Sequence, residues 1–571
     1  MAVDIERLNV RYESLRNERA AYDAAWRDLA EHFLPTRFKV DSDTSAPKPE
    51  ILNRKVVDST GIIDMGTLAA GMQGGMSSPA RPWFKLALAG AEVSEDSEAA
   101  AWLDEVTERM RTLLHRSNFY NAAHALYGDL GTFGPGLLLE TADWDGLHFR
   151  LIPCGEYVLD TDQNGDVDTF MYRTRMTARQ IVQKFEEGRI PPYVLTAAKT
   201  PGNVENWFDV VHAVFPRSDR MYGRMEGRNM PWASVWWLRG GGAHNGMSRA
   251  AVLRESGFED FPAFAPRWDV TGIDKYGRSP AMNILPDCRM LQQMGATTLK
   301  SMHKAVDPPL LVPATSKAVE VNNVPGGLTY VDPRDQGMAQ IQPLHQVDPR
   351  LIAAAEEKIK GVQQKIHDGL FADLFKLLIM DDRRQITATE IEAREREKLI
   401  LLGPVVDRLD REFLSPLIKR TFSLMRQYDF LPPAPPSIEG AELRVEFVSV
   451  MAQAQKLVST SPLDQTMAFV AGLAQAGAPE VLDNIDTDVA VRMYADKLGA
   501  PASLLRSEED VAAIRQQRAQ AQQMAAQQQE MAQGVANAQG LSNAARNLGA
   551  TPVGADGQTA MDALLGGLGG M

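Results

Sequence analysis

The chain has 571 residues, which is enough for about three to four domains of ordinary size and several hydrophobic cores. Hydrophobic residues make up 44% and charged residues 23% of the sequence, which excludes a wholly disordered chain, a collagen-like fibre and a multi-spanning membrane protein. The formal net charge of −14 disfavours a protein that grips nucleic acid over a broad surface, so any contact with DNA is expected to be local or weak.

The two cysteines, Cys154 and Cys288, are too few for a disulfide framework or a multi-cysteine zinc site. We expect two inert core thiols in a protein made in a reducing compartment. The N-terminus is charged from Asp4 onward and has no apolar region of the kind found in signal peptides. No stretch of about 18 apolar residues occurs either, so no membrane partner is expected.

The N-terminal part of the chain is predicted to be helical. Apolar residues recur at steps of three and four from Ile5 to Phe33, interrupted only by Arg19, which predicts a long amphipathic helix ending before Pro35. A glycine-rich segment at 51–76 and the segment 98–119 also have helical spacing. The glycine-rich stretch 128–136 is predicted to be a turn region.

The next part of the chain has the alternating pattern of β-strands. Segments 147–153, 156–162 and 166–176 predict a meander, with Asn164-Gly165 as a hairpin turn. Two further strands are predicted at 207–215 and 232–239.

Two motifs in this region have competing interpretations. The residues from Asp160 to Gly165 match the first positions of a calcium-binding loop, but the twelfth position is Met171, so a plain turn is favoured. Three tryptophans, Trp232, Trp236 and Trp237, could form a stacking platform for bases. Because no lysine or arginine is interleaved with them, the core or a subunit interface is favoured.

Two long helices with strong start signals follow. Ser279 and Pro280 begin a helix that extends to 306, with Pro286 either kinking or restarting it. Asp348 and Pro349 begin a second helix that extends to 376. Each would be about 40 Å long. The residues between them, 307–347, lack helical period and predict a small β-rich insert.

A short polar segment then leads into a third helix. Residues 377–386 place Asp381-Asp382 beside Arg383-Arg384, and Thr387 to Glu390 form a capping box. The helix that begins there is predicted to kink at Gly403-Pro404 and to end near residue 430.

These segments resemble the head-to-tail connector, or portal, proteins of short-tailed bacteriophages. The resemblance is carried by YGRSPAMNILPDCRML, VDPPLLVP and TATEIEAREREKLILLGPVVDRLDREFLSPLI in that order, and by AAGMQGGMSSPARPWF nearer the front. It covers most of residues 1–545 and implies a mainly helical α+β portal fold with wing, stem, clip and crown regions.

The resemblance also implies a division of the chain. Its parts would be the wing (1–279), the first stem helix (280–306), the clip (307–347), the second stem helix (348–376), the tunnel loop (377–386), the kinked helix with a return to the wing (387–450), the crown (451–507), an Ala- and Gln-rich helix (508–548) and a flexible tail (549–571). The Ala- and Gln-rich helix would form a barrel in the ring, or else be a solvated or partly disordered helix.

The implied function is a ring, usually of twelve subunits, at one capsid vertex of the virion, through which double-stranded DNA is packaged and ejected. Implied partners are the terminase large subunit, the major capsid and scaffolding proteins, the tail adaptor and internal or ejection proteins. No catalytic residue, metal or cofactor is implied. The implied DNA-channel residues of the tunnel loop are Met380, Asp381, Asp382, Arg383 and Arg384. Possible basic residues of the stem lumen are Arg289, Lys300, Lys304, Lys358, Lys360 and Lys365.

Two other classes remain as alternatives. A packaging ATPase would need a Gly-x4-Gly-Lys-Ser/Thr phosphate loop, which the sequence lacks, and a nuclease would need converging carboxylates. Asp381-Asp382 are poor candidates for that role because two arginines follow them, and the nine histidines form no metal-binding string. A smaller head-completion adaptor is disfavoured by the chain length and by the two long helices.

Overall fold

The computed structural model describes residues 4–37, 56–88, 97–220, 226–239, 250–272, 274–308, 310–311, 342–343, 348–380, 402–436, 443–448, 469–470, 489 and 508–550. Most of the predicted clip and crown, the capping box at Thr387 and the tail from residue 551 lie outside these ranges. The chain divides into two compact units, one with residues 1–93 and 98–499, the other with 94–97 and 500–571.

The larger unit begins with four helices. They are α1 (Ile5–Phe33), α2 (Thr60–Met76), α3 (Ser97–Arg116) and α4 (Phe119–Phe133). Asp4 caps α1 by accepting the N–H groups of Glu6 and Arg7, and the helix ends before Pro35, as predicted. Arg19, which interrupts the apolar face of α1, is 1% exposed and donates a 2.9 Å hydrogen bond to the carbonyl of Tyr157.

The prediction of a turn region at 128–136 was wrong, because α4 continues through most of it. The glycines allow close packing instead of a loop. A Cβ atom at Gly131 would lie 2.8 Å from the sulfur of Met65 and 2.9 Å from a methyl group of Leu68, so α4 lies close against α2. The helix ends at Gly134, whose φ of 99° favours glycine.

The strands form two main antiparallel sheets and two short pairs. The bounds are β1 (Phe84–Leu88), β2 (Leu137–Asp143), β3 (Gly146–Ile152), β4 (Tyr157–Thr161), β5 (Val167–Thr177), β6 (Trp207–Pro216), β7 (Trp232–Leu238), β8 (Ala251–Phe258), β9 (Ala263–Phe264), β10 (Leu310–Leu311), β11 (Gln342–Pro343) and β12 (Leu443–Phe447). The orders are β3-β2-β9 and β4-β5-β6-β7-β8, and the pairs are β1-β12 and β10-β11. The mixed α+β class is therefore confirmed.

The predicted strands are present, but the meander is not continuous. β3 pairs with β2, which the sequence analysis missed, and lies in a different sheet from β4 and β5. The first four residues of β2 are all buried, so the segment does not alternate, and alternation is what identifies a strand in a sequence. The turn between β4 and β5 is as predicted. Gly165 has φ of 86°, and the Asp162 carboxylate accepts the N–H groups of Asn164 and Asp166.

The tryptophans of β7 belong to the core, as favoured. Trp237 is fully buried and donates its indole N–H to Asn9 on α1 at 2.8 Å. Trp236 is 8% exposed, and Trp232 is half-buried against Phe261. The burial of Trp236 and Trp237 leaves neither ring open for stacking a base.

Two short helices, α5 (Ala178–Lys184) and α6 (Pro192–Lys199), follow β5, and further helices follow the sheets. These are α7 (Pro280–Val306), α8 (Pro349–Gly369), α9 (Ala372–Met380), α10 (402–409) and α11 (Ser415–Gln427). Pro286 lies inside α7 without interrupting it. Between α10 and α11, residues Asp410–Leu414 form a π-helical turn just before Pro416. Since proline cannot donate an N–H and clashes with the preceding turn, a π-turn is a common accommodation.

The second unit contains one long helix, α12 (Glu508–Ala550). Large apolar side chains on it are exposed, among them Met524, Val535 and Leu541. Among the described residues, no helix combines the length and the apolar character that crossing a membrane requires.

Candidate nucleic-acid interface

The two predicted stem helices pack against each other in antiparallel fashion. Near one end, a Cβ atom at Gly369 of α8 would lie 2.4 Å from Cγ2 of Ile284 on α7, so the two backbones approach closely there. Further along, Asp58 joins the helices: its carbonyl accepts a hydrogen bond from Gln292 at 2.7 Å and its carboxylate accepts one from Gln363 at 2.9 Å. Ile284 on α7 is thus paired with Gly369 on α8, and the later residue Gln292 with the earlier residue Gln363, so the two helices are antiparallel.

The predicted basic residues of this pair are all exposed in the single chain. They are Arg289, Lys300 and Lys304 on α7 and Lys358, Lys360 and Lys365 on α8. Arg289 has an acidic partner, because its guanidinium forms an ion pair with Asp28 on α1.

The angular positions of these cations around the helix axes show which of them share a face of their helix. At about 100° per residue, Arg289, Lys300 and Lys304 lie within about 60° of one another on α7. On α8, Lys358 and Lys365 lie within about 20° of each other. Lys360 lies about 140–160° away from them, on the other side of the buried positions Val362 and Ile366. The three lysines of α8 therefore cannot all face one surface.

The second stem helix is interrupted, in contrast to the prediction of one rod over 348–376. α8 ends at Gly369, and Phe371 has a φ of 56° before α9 begins. Leu370, Leu374 and Phe375 are fully buried, so the break turns α9 into the core beside α2. Residues other than glycine rarely adopt a positive φ because of steric strain in the backbone. Burial of the neighbouring apolar side chains compensates for the strain at Phe371.

The first four residues of the predicted tunnel loop are helical. Residues 377–380 are the last part of α9, so Met380 is helical and not in a loop. The run Leu377 to Met380 is apolar and extends the buried helix that precedes it. Asp381, Asp382, Arg383 and Arg384 lie outside the described residues.

The predicted kink at Gly403-Pro404 falls at the edge of the described chain. Residues 402–409 are helical, so Pro404 lies within the first described turn, and the part before residue 402 lies outside the described residues. The departure from α-helical geometry that the structure does describe occurs later, in the π-turn at Asp410–Leu414.

A contact between two titratable side chains, one of them fully buried, was missed by the sequence analysis near the break. The Asp64 carboxylate on α2 is fully buried and lies 2.5 Å from Nδ1 of His367 on α8. Burial raises the pKa of Asp64, while His367 and Lys376 oppose that rise. The available signal was one carboxylate in the otherwise uncharged helix of α2.

A second group was also missed, consisting of Arg150, Lys184 and Arg254, which three different elements bring together above the five-stranded sheet. They are separated by 34 and 70 positions in the sequence, so no local pattern indicates them. Cys154 and Cys288 are buried free thiols, as predicted.

Sequence comparisons agree with the resemblance inferred from the motifs. The model of the family described as bacteriophage head to tail connecting protein matches residues 6–505. The chain is 37% identical over 526 residues to the "Probable portal protein" of Bordetella phage BPP-1, covering 91% of this chain and 92% of that protein. It is 36% identical over 519 residues to the "Portal protein" of Salmonella phage epsilon15, covering 90% and 91% respectively. The predicted family is confirmed: this chain belongs to the bacteriophage head to tail connecting proteins.

Proposed function

We propose that this chain is the portal subunit of a phage, assembling as a ring at one capsid vertex through which double-stranded DNA is packaged and ejected. The observation that carries the proposal is the match to two portal proteins over about nine tenths of each chain. The extended antiparallel pair α7 and α8, with exposed cations along it, supports it as a wall element of a channel. The expected ring has twelve subunits.

The regional assignments belong to the same proposal. Residues 1–279 would form the wing, α7 and α8 the stem, 307–347 the clip, 451–507 the crown and α12 a barrel. The ring would engage the terminase large subunit, the capsid and scaffolding proteins, and later the tail adaptor and internal or ejection proteins. We expect no nucleotide hydrolysis by the ring itself, because the sequence has no phosphate loop.

The acidic balance of the chain suits a conduit. DNA held through many phosphate contacts is retained by counterion release, whereas a conduit must let the duplex slide. A few basic positions in a chain of net charge −14 give weak contacts of this kind. Because Lys360 lies opposite Lys358 and Lys365 on α8, only one of these two groups would face the lumen.

Imaging of the purified protein by negative-stain electron microscopy tests the proposal. We expect rings with a central hole wide enough for duplex DNA. Particles without a hole, or ATP turnover that copurifies with the protein and is lost on a point mutation, would instead favour an enzyme of DNA processing. A small ring without the elongated stem would favour a head-completion adaptor.

The tunnel-loop assignment has its own test. Replacing residues 381–384 by a Gly-Ser linker spares α9 and should leave ring and head formation intact, while lowering the amount of DNA retained in filled heads. A matched control keeps the length and removes only the charges, by Asp381→Asn, Asp382→Asn, Arg383→Gln and Arg384→Gln. Loss of the ring on a sizing column in the linker variant would show that these residues are part of the fold.

A further inference from the structure

One face of the five-stranded sheet carries a row of side chains that crosses all five strands. Tyr157, Tyr172, His212, Trp236 and Arg254 are cross-strand partners in succession on β4, β5, β6, β7 and β8. The His212 and Trp236 rings stack with centroids 4.0 Å apart, and the Tyr172 ring packs edge-on against both at 5.3 and 5.9 Å. Neighbours of this kind stabilise a sheet, and here they make a rigid aromatic floor.

Three cations lie over or beside this floor, each from a different element. Lys184, at the end of α5, places its Nζ 3.7 Å from the Trp236 ring centroid. The guanidinium of Arg150, on β3, lies 5.5 Å from the Tyr172 ring centroid. Arg254 ends the row on β8. Arg150 and Arg254 are exposed, and Lys184 keeps exposed surface although its ammonium is partly buried against the Trp236 ring. Within the described part of the chain, none of the three has a carboxylate at ion-pair distance.

The cations are close enough to repel each other. Burial, followed by the charges of Arg150 and Arg254, lowers the pKa of Lys184 to about 8. Burial, followed by the charges of Lys184, Arg150 and Arg254, lowers the pKa of His212 beneath them. A cluster of like charges without a counter-ion is unfavourable in the free protein, so an anion placed here would be bound favourably.

A shallow cleft beside the cluster is lined mostly by side chains that carry hydrogen-bond donors. It has a volume of about 390 Å³ and is bordered by Arg150, Thr174, Arg175, Met176, Gln180, Gln183 and Lys184. No carboxylate lines it. Arg175 is neutralised by Asp209, and Gln180 uses its side-chain oxygen to accept the N–H of Thr177, which leaves its amide hydrogens as donors.

We propose that Arg150, Lys184 and Arg254 form a binding site for the phosphate backbone of double-stranded DNA, separate from the stem helices α7 and α8. Guanidinium and ammonium groups over a donor-lined cleft match phosphodiester oxygens, which accept only. The choice of DNA over an acidic protein segment rests on the proposed function, because DNA is the polyanion that a portal contacts. The site reads no sequence, since backbone contacts carry none.

Covalently closed circular DNA is the probe, because a closed circle cannot be threaded through a ring by an end. Binding to the full-length protein is measured as a function of salt concentration, for the wild type and for a variant with Arg150→Gln, Lys184→Gln and Arg254→Gln. The control, Arg7→Gln, Arg81→Gln and Lys199→Gln, removes the same charge from exposed positions elsewhere. Ring formation of each protein is checked in parallel by imaging.

We expect the cluster variant to lose at least tenfold in affinity for the circle. The slope of log affinity against log salt should fall by up to about 0.9 for each phosphate contact removed. The control variant should change little. Equal weakening of both variants would mean diffuse attraction and would overturn the proposal, as would a wild type that binds linear duplex but not the circle.

Two further outcomes identify other occupants. If the cluster variant fails to form rings while the control forms them, the site holds an acidic segment of a neighbouring subunit and the DNA proposal is wrong. If the wild type binds inorganic phosphate but no DNA, the ligand is a small anion. Absence of rings in the wild type would count against the proposed portal function. The binding of closed circular DNA would still test the proposed site of Arg150, Lys184 and Arg254 independently.

A footprint locates the contact. At neutral pH, the lowered pKa of Lys184 gives it more free amine than an ordinary lysine, so an acylating reagent should label it readily. Closed circular DNA should protect Lys184 and leave Lys199 labelled. Unchanged labelling of Lys184 in a DNA complex would show that the duplex binds elsewhere.

Discussion

The ring of Phe375 on α9 lies where a side chain at Gly71 of α2 would be: a Cβ atom at position 71 would be 2.1 Å from Cδ1 of Phe375. Phe375 is fully buried, and α9 is the helix that ends at Met380, directly before the predicted tunnel segment. The absence of one methyl group on α2 therefore determines how closely α9 can approach.

Gly71→Ala should destabilise the protein by about 1–3 kcal/mol, because the added methyl group would clash with the Phe375 ring. That ring is fully buried and has no free space into which it could move. Gly66→Ala and Gly74→Ala on the same helix are matched controls, since a Cβ atom at either position meets nothing within 4 Å. Those two changes should stabilise α2 by about 0.5–1 kcal/mol through helix propensity. Urea denaturation followed by circular dichroism measures all three, and equal effects at the three positions would refute the contact.

His367→Ala should lower the free energy of unfolding more than Asp64→Asn does. Removing the imidazole leaves the fully buried Asp64 carboxyl group without its nearest polar partner. This should cost about 1–3 kcal/mol, a range discounted because the His367 side chain is 27% exposed. Asp64→Asn removes the charge that burial disfavours, so its effect at neutral pH should be smaller. The double variant should recover most of the loss. A double-mutant cycle by urea denaturation measures the coupling, and additive losses would show that the pair does not interact.

Asp129→Asn should become progressively more favourable as the pH rises from 5 to 8. Burial raises the pKa of Asp129 to about 7, so the native state holds a proton that the unfolded state loses near pH 4. The stability contributed by this group is therefore complete below about pH 4 and is lost as the pH rises through 7. Asparagine resembles the protonated form of Asp129 and does not titrate, so the variant does not lose this stability as the pH rises.

The measurement is the difference in free energy of unfolding between the Asp129→Asn variant and the wild type at each pH, in which contributions from other groups cancel. Asp143→Asn is the control of opposite sign. Hydrogen bonds from backbone N–H groups and His148 lower the pKa of Asp143, so its removal should cost more at high pH than at low pH. A constant difference for Asp129→Asn across the pH range would contradict its burial as a protonated group.

Chelator and reductant should leave the assembled ring intact. Cys154 and Cys288 are 0% and 2% exposed free thiols, and no cluster of three or more metal-ligating side chains occurs among the described residues. The double variant Cys154→Ala and Cys288→Ala should therefore assemble at the wild-type size on a sizing column. Release of monomers by the reductant would show that Cys154 or Cys288 forms a bridge between subunits, and release by the chelator would indicate a metal site outside the described residues.

Local signals were sufficient wherever one stretch of chain determines its own structure. Four local predictions were correct: the end of α1 before Pro35, the Ser279-Pro280 start of α7, the Asp348-Pro349 start of α8 and the Asn164-Gly165 turn. Each depends on hydrogen bonds or dihedral angles within a few residues. The family was also evident from consecutive motifs in the sequence.

Tertiary packing decided the rest. Glycines at 128–136 indicated a turn in the sequence but serve close contact between α4 and α2, since the same residue type satisfies both needs. α8 breaks at Leu370 and Phe371 because the residues beyond it are buried against α2, which no helical period discloses. Arg150, Lys184 and Arg254 come together only when β3, α5 and β8 are placed beside one another. Electrostatic proximity depends on distance in space, and the order of residues along a chain does not contain that distance.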